Sequence, residues 1–192
     1  MSSKEISSIP GIVRIIKKGG IPSTSEDAAV SLRDLMCSVV NKLISASLTY
    51  MEHENRKTLF LRDLVQSIEL LYGIKYYNSS SSVACKDVQY ITSKDGKTTK
   101  RRKVSAQMRM LQKQSDCLLL QKSPFRRYVV NEKNSLSKGI NLSKEFMASL
   151  QSFVESFFVD FVIDCSHIVF DIAERKRLLV KDIKVVKKIK KI

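Results

Sequence analysis

Glycine and proline are scarce in this chain, at six and three residues of 192, and tryptophan is absent. So few chain breakers exclude a fold of many short strands and turns and favour long helices. The four cysteines, Cys37, Cys85, Cys117 and Cys165, are too far apart for any CxxC metal or redox motif. At this length a disulfide scaffold is not expected either, and no signal peptide is recognisable at the N-terminus, which reads as an intracellular, reducing location. The most apolar stretch, Phe153 to Ile172, contains Glu155, Asp160, Asp164 and Asp171, too many carboxylates for a membrane span. There is no glycine-rich phosphate loop, paired-carboxylate site or nucleophile motif. His53 lies between Glu52 and Glu54 without HExxH spacing, and His167 with Cys165 falls short of a ligand set. No enzyme activity, cofactor, metal or small-molecule substrate is expected.

What the chain has is positive charge and a core. The net charge is +15, and 43% of residues are hydrophobic, enough to exclude wholesale disorder. The charge is uneven: residues 1–73 carry +1, 74–123 carry +8 and 124–192 carry +6. The cluster Lys97, Lys100, Arg101, Arg102 and Lys103 follows the polar run Asn78 to Ser82. Together these mark a basic linker, 74–103, between two halves, 1–73 and 104–192.

Each half reads as short helix, long helix, short helix. In the first, a short segment from Ile9 stops at Gly19-Gly20, and Ser25 followed by Glu26 and Asp27 caps a long helix to about Glu54. Its apolar rows are Leu32, Leu35, Val39, Leu43, Ala46, Tyr50 and Met36, Val40, Ile44, Leu48, Met51. So wide an apolar face requires several partners. A short helix runs from about Leu61 to Leu71. In the second half, helical segments span 104–114 and 121–134, with Pro124 tolerated in a first turn. Ser143 then caps a long helix of about 29 residues, ~43 Å, with the row Phe146, Leu150, Phe153, Phe157, Phe161, Cys165, Ile168 and Ile172. Its phenylalanines read as core, not as a base-stacking platform. A last short helix runs from about Val180 to Lys190. There Ile183, Val185, Val186 and Ile189 between lysines are expected to pack inside the fold, not on a membrane.

The halves also repeat in sequence. Arg56-Lys57-Thr58-Leu59-Phe60-Leu61-Arg62-Asp63-Leu64 matches Arg175-Lys176-Arg177-Leu178-Leu179-Val180-Lys181-Asp182-Ile183 at an offset of 119 residues. In each copy an Arg stands seven residues before an Asp. That spacing predicts charge-assisted pairs Arg56–Asp63 and Arg175–Asp182, leaving Lys57 and Lys176 facing outward.

These residues resemble a fused pair of core histones. Residues 9–73 resemble histone four, through Ile15-Ile16-Lys17-Lys18-Gly19-Gly20-Ile21 and Leu48-Thr49-Tyr50-Met51-Glu52-His53 leading to Arg56-Lys57-Thr58. Residues 104–192 resemble histone three, through Ser115 to Phe125 followed by Arg126-Arg127, Leu150-Gln151, Lys181-Asp182-Ile183 and Lys187-Lys188-Ile189. The order is that of the doublet histones of Marseillevirus-type DNA viruses. The resemblance implies an all-α chain of two histone folds clasped in an intramolecular handshake. It implies sequence-independent wrapping of double-stranded DNA in a nucleosome-like particle, two copies assembling with a companion doublet resembling histones two-B and two-A. The implied location is a virion, viral factory or host nucleus.

The DNA-contacting residues would be Arg56, Lys57 and Thr58, with Arg175, Lys176 and Arg177. Arg14, Lys17 and Lys18 on one side and Lys122 and Arg127 on the other would add backbone contacts. Ser23, Asn141 and Gln107 stand where the family carries arginines, which implies looser wrapping. Near Asp171 and Ile172 the chain carries one residue more than the family, where the family pairs two dimers through a histidine. The alternative reading is a histone-fold interaction module in a transcription or chromatin complex, without DNA wrapping.

Overall fold

The computed structural model describes residues 6–75, 119–190 and 192. The lysine–arginine cluster 97–103, the helix expected over 104–114, Gln107, Cys85 and Cys117 lie outside them. The described parts of the two halves form one compact unit.

The first helix, α1 (Ile9–Lys18), admits Pro10 in its first turn and ends at Gly19, whose N–H returns to the Ile15 carbonyl at 3.0 Å. Gly20 follows at φ +93°, a conformation that favours glycine. Strand β1 (Ser23–Thr24) leads to α2 (Glu26–His53), capped by Ser25 Oγ, which accepts from Ala28 N at 3.2 Å. After Asn55 at φ +53° come β2 (Thr58–Leu59) and α3 (Leu61–Tyr72), which closes at Gly73, φ +66°. The second half repeats the plan. Helix α4 (Lys122–Leu136) is followed by β3 (Asn141–Leu142) and α5 (Lys144–His167), capped by Ser143 Oγ accepting from Phe146 N at 3.1 Å. Glu174 at φ +47° matches Asn55, and β4 (Arg177–Leu178) and α6 (Val180–Lys190) complete the order.

The second long helix does not end as an α-helix. Ile168–Ile172 is a π-helical turn, sealed by Ala173 N donating to the Ile168 carbonyl at 3.0 Å. A π turn holds one residue more than an α turn would, and it stands where the chain is expected to carry one residue more than the histone family.

Two parallel bridges clasp the halves. Ser23 pairs with Arg177 and Thr24 with Leu178, while Thr58 pairs with Asn141 and Leu59 with Leu142. Each bridge therefore joins the first loop of one half to the second loop of the other, the handshake arrangement. The core is shared accordingly: α2 packs on α1, α3, α4 and α6, and α5 on α1, α3 and α6. Phe146, Phe158 and Phe161 are fully buried with Leu32, Met36 and Leu43 in one cluster. Tyr128 crosses between halves, its hydroxyl 2.9 Å from Asn41 Oδ1.

On three helices the apolar pattern differs from the sequence expectation, with Phe157 and Ile168 also only half-buried on the second long one. On α2, Ala46 and Tyr50 are only half-buried and Ser47 is buried instead. The buried stripe turns toward α3 there, and Ser47 Oγ lies 3.0 Å from Ser67 Oγ. On the second long helix, Ile172 is 77% exposed and Val169 is fully buried, because the π turn rotates the residues at its end away from the core. On α6, Ile183 and Val186 enter the core, but Val185 and Ile189 are 46% and 70% exposed. A single stripe of that helix faces inward, so alternating lysines and aliphatics do not all find cover.

Candidate nucleic-acid interface

The two bridges organise the basic residues. In the loop after α2, Arg56 Nη2 lies 2.6 Å from Asp63 Oδ1 and Nη1 lies 3.2 Å from Oδ2. Nη1 also donates to the Thr58 carbonyl at 2.9 Å. Asp63, with no exposed surface, accepts from Phe60 N at 2.8 Å and so caps α3 with the same carboxylate that holds the arginine. The repeat copies this closely. Arg175 Nη2 is 2.8 Å from Asp182 Oδ1, Nη1 reaches the Arg177 carbonyl at 3.4 Å, and Leu179 N donates to Asp182 Oδ2 at 2.9 Å. The hydrogen bond to Asp63 raises the pKa of Arg56 above the ordinary guanidinium value, so its charge is permanent.

Both arginines therefore turn toward loop backbone and carboxylate, with side chains 17% and 26% exposed. They set the shape of the loops, and the exposed residues beside them present the charge: Lys57 at one bridge, Lys176 and Arg177 at the other, with Thr58 half-buried. Arg14, Lys17 and Lys18 are exposed on α1, and Lys122 and Arg127 on the first turns of α4. Lys144 and Lys181 join this set, though no motif in the sequence singles them out as contacts. Each is exposed in the first turn of a helix that leaves a bridge; position just after a loop strand is the signal that would have found them.

The two ends are not equivalent. At the β2·β3 end, Glu54 contacts Arg56, at 2.8 Å, and Arg62. The repeat counterparts of Glu54 and Arg62 are Ala173 and Lys181, so the β1·β4 end lacks that carboxylate.

Elsewhere the polar chemistry is structural. Glu155, buried on α5, accepts from Leu119 N at 2.9 Å, Leu120 N at 3.1 Å and Gln151 Nε2 at 3.0 Å, anchoring the segment that leads into α4. Burial raises its pKa against those hydrogen bonds. Burial also lifts the Cys165 thiol to about 12, which leaves it unreactive. His167 Nδ1 lies 3.1 Å from Asp171 Oδ2 on the surface, and His53 is exposed. Among the described residues no cluster of three or more His, Cys, Asp or Glu is placed to hold a metal, and no helix is long and apolar enough to cross a membrane.

Residues 9–68 match the family of histone-like transcription factors (CBF/NF-Y) and archaeal histones. Over 177 residues the chain is 24% identical to the histone doublet H4-H3 of Melbournevirus, covering 88% of this chain and 79% of that protein. The chain is similar to a histone doublet. In three dimensions the chain superposes on the histone of Methanopyrus kandleri with a TM-score of 0.56 at 14% identity. That match covers 94% of this chain and 92% of the other, so both halves share that fold.

Proposed function

We propose that this histone doublet wraps and compacts double-stranded DNA in a nucleosome-like particle, gripping phosphates without reading bases. The observation that carries the reading is the pair of bridges, each flanked by an Asp-held arginine and an exposed lysine. Two rigid cationic points on one body suit a bent backbone, and a net charge of +15 supports strong, salt-dependent binding. Two histone folds at 1–73 and 104–192, tied by the basic segment 74–103, would pair as one molecule at high effective concentration. Two copies would assemble with a companion doublet resembling histones two-B and two-A. The role is structural and chromatin-associated, not catalytic; the viral relative favours a virion, viral factory or host nucleus.

Nuclease digestion of long duplex DNA mixed with the doublet, with and without a companion doublet, tests this. A discrete protected fragment is expected, and one that needs the companion would make this chain half of the particle. A smear under both conditions, with the protein folded, would overturn wrapping. The second reading, an interaction module in a transcription or chromatin complex, would then stand. The uncharged Ser23, Thr58 and Asn141 in the bridges favour it.

A further inference from the structure

We infer that the doublet grips DNA asymmetrically, with Arg177 entering the minor groove at the β1·β4 end and only backbone contacts at the β2·β3 end. The inference rests on the DNA-binding reading and adds to it which residue does what.

The repeat makes Arg177 the counterpart of Thr58, at the same offset of 119 residues that relates Arg175 to Arg56 and Asp182 to Asp63. One half thus carries a guanidinium where the other carries a hydroxyl. The bridge register places Arg177 directly across from Ser23, whereas Thr58 stands across from Asn141. Partners across a bridge point to the same face. Ser23 and Arg177 are both exposed, so the long side chain shares its face with one of the smallest polar ones. At the other bridge both partners are short and uncharged.

The surrounding charge points the same way. Among the described residues Arg177 has no carboxylate within ion-pair distance, and its carbonyl is held by Arg175 Nη1, which fixes the backbone it projects from. Lys176 and Lys181 flank it, exposed. Glu174 is the carboxylate of that loop, and no ion pair forms on it among the described residues. At the β2·β3 end, Glu54 occupies both Arg56 and Arg62. An unpaired guanidinium on a rigid backbone between phosphate-binding lysines is the arrangement that suits a narrow, electronegative minor groove.

The test is duplex binding by the full doublet, on one DNA with A-tracts phased to the helical repeat and on one G·C-rich DNA of equal length. Wild type should prefer the A-tract duplex. Arg177→Ser should lose about tenfold affinity for it and most of the preference, while Lys176→Ala should weaken both duplexes alike. Adding Ser23→Arg to Arg177→Ser moves the guanidinium across the bridge and should restore both affinity and preference. Equal loss on both duplexes for Arg177→Ser, or no restoration by Ser23→Arg in a folded protein, would overturn the inference and leave a plain phosphate contact. A wild type that binds neither duplex would instead overturn the DNA reading itself.

Discussion

At Gly19 the end of α1 lies close against Val162 of α5, and replacing it with alanine separates two reasons for keeping a glycine. Its φ of −74° is open to any residue, so backbone conformation imposes no cost. A Cβ built there, however, would lie 2.5 Å from Val162 Cγ1, 2.6 Å from Val162 Cβ and 3.3 Å from the Val159 carbonyl oxygen. Ordinary contact begins near 3.4 Å, so the end of α1 must retreat from α5 by about 0.8 Å, a shift of the size that overpacking forces on a filled core. Val162 is fully buried, and a rotamer change cannot move its Cβ. Overpacking of this kind costs about 1–3 kcal/mol, which for a body of this size lowers the melting temperature by ~2–12 °C. Gly20→Ala is the control. No atom lies within 4 Å of its Cβ position, but φ is +93°, so its cost is conformational, about 1–2 kcal/mol. Urea unfolding followed by far-UV circular dichroism measures both. Truncating Val162 to alanine in the Gly19→Ala background should recover only part of the loss, since the Cβ at 2.6 Å remains. Gly19→Ala within about 0.5 kcal/mol of wild type would refute the contact as the cause.

Lys57→Ala and Lys176→Ala, both at exposed positions, should leave thermal stability unchanged. Each should reduce the slope of log affinity against log salt by about 0.9 for every phosphate it no longer neutralises, read by fluorescence anisotropy over a salt series. Ser25→Ala and Ser143→Ala each remove an N-cap acceptor at 3.2 and 3.1 Å and should cost ~1 kcal/mol in denaturant titrations. Glu155 gives a pH signature. Burial raises its folded pKa above the ordinary carboxylate value of 4.5, so the stability linked to its protonation is complete below that value. It is lost as pH rises through the raised folded value. Glu155→Gln cannot titrate, so any stability deficit it has at acid pH should narrow as pH rises through that window. A deficit that stays constant with pH in thermal melts would refute this assignment.

Local chemistry made much of the fold legible in the sequence. Ser25 and Ser143 declare their helices because a cap hydroxyl needs only the next turn's N–H, and Asp63 and Asp182 reach Phe60 and Leu179 within one turn. The rest was set by partners far along the chain. Ala46 and Ser47 exchange roles because α3 covers one flank of α2, and Val185 and Ile189 stay outside because α6 buries one stripe. The interface divides in the same way. The sequence spacing brings Arg56 to Asp63, but that Glu54, only two residues away, turns back to bind both Arg56 and Arg62 depends on the left-handed turn at Asn55. The pairing of Ser23 with Arg177 joins opposite ends of the chain through a parallel bridge, and such register depends on both halves being folded together.

The π turn shows which geometry the repeat protects. The caps Ser25 and Ser143 are 118 residues apart, whereas the loop residues Asn55 and Glu174 are 119 apart, so the second long helix carries one residue more between cap and loop. As an α-helical residue it would turn everything after it by about 100° and advance it ~1.5 Å. Arg175 and Arg177 would then be carried away from the loop they share with Ser23 and Thr24. Instead the extra residue is absorbed at Ile168–Ile172, and Glu174 regains a left-handed φ of +47° beside the +53° of Asn55. Arg175 meets Asp182 through the same pair of contacts that Arg56 makes with Asp63. The distortion falls on Phe170, Asp171 and Ile172, which are exposed. Helix regularity gives way there, and both bridges, with the basic loops they position, keep their shape.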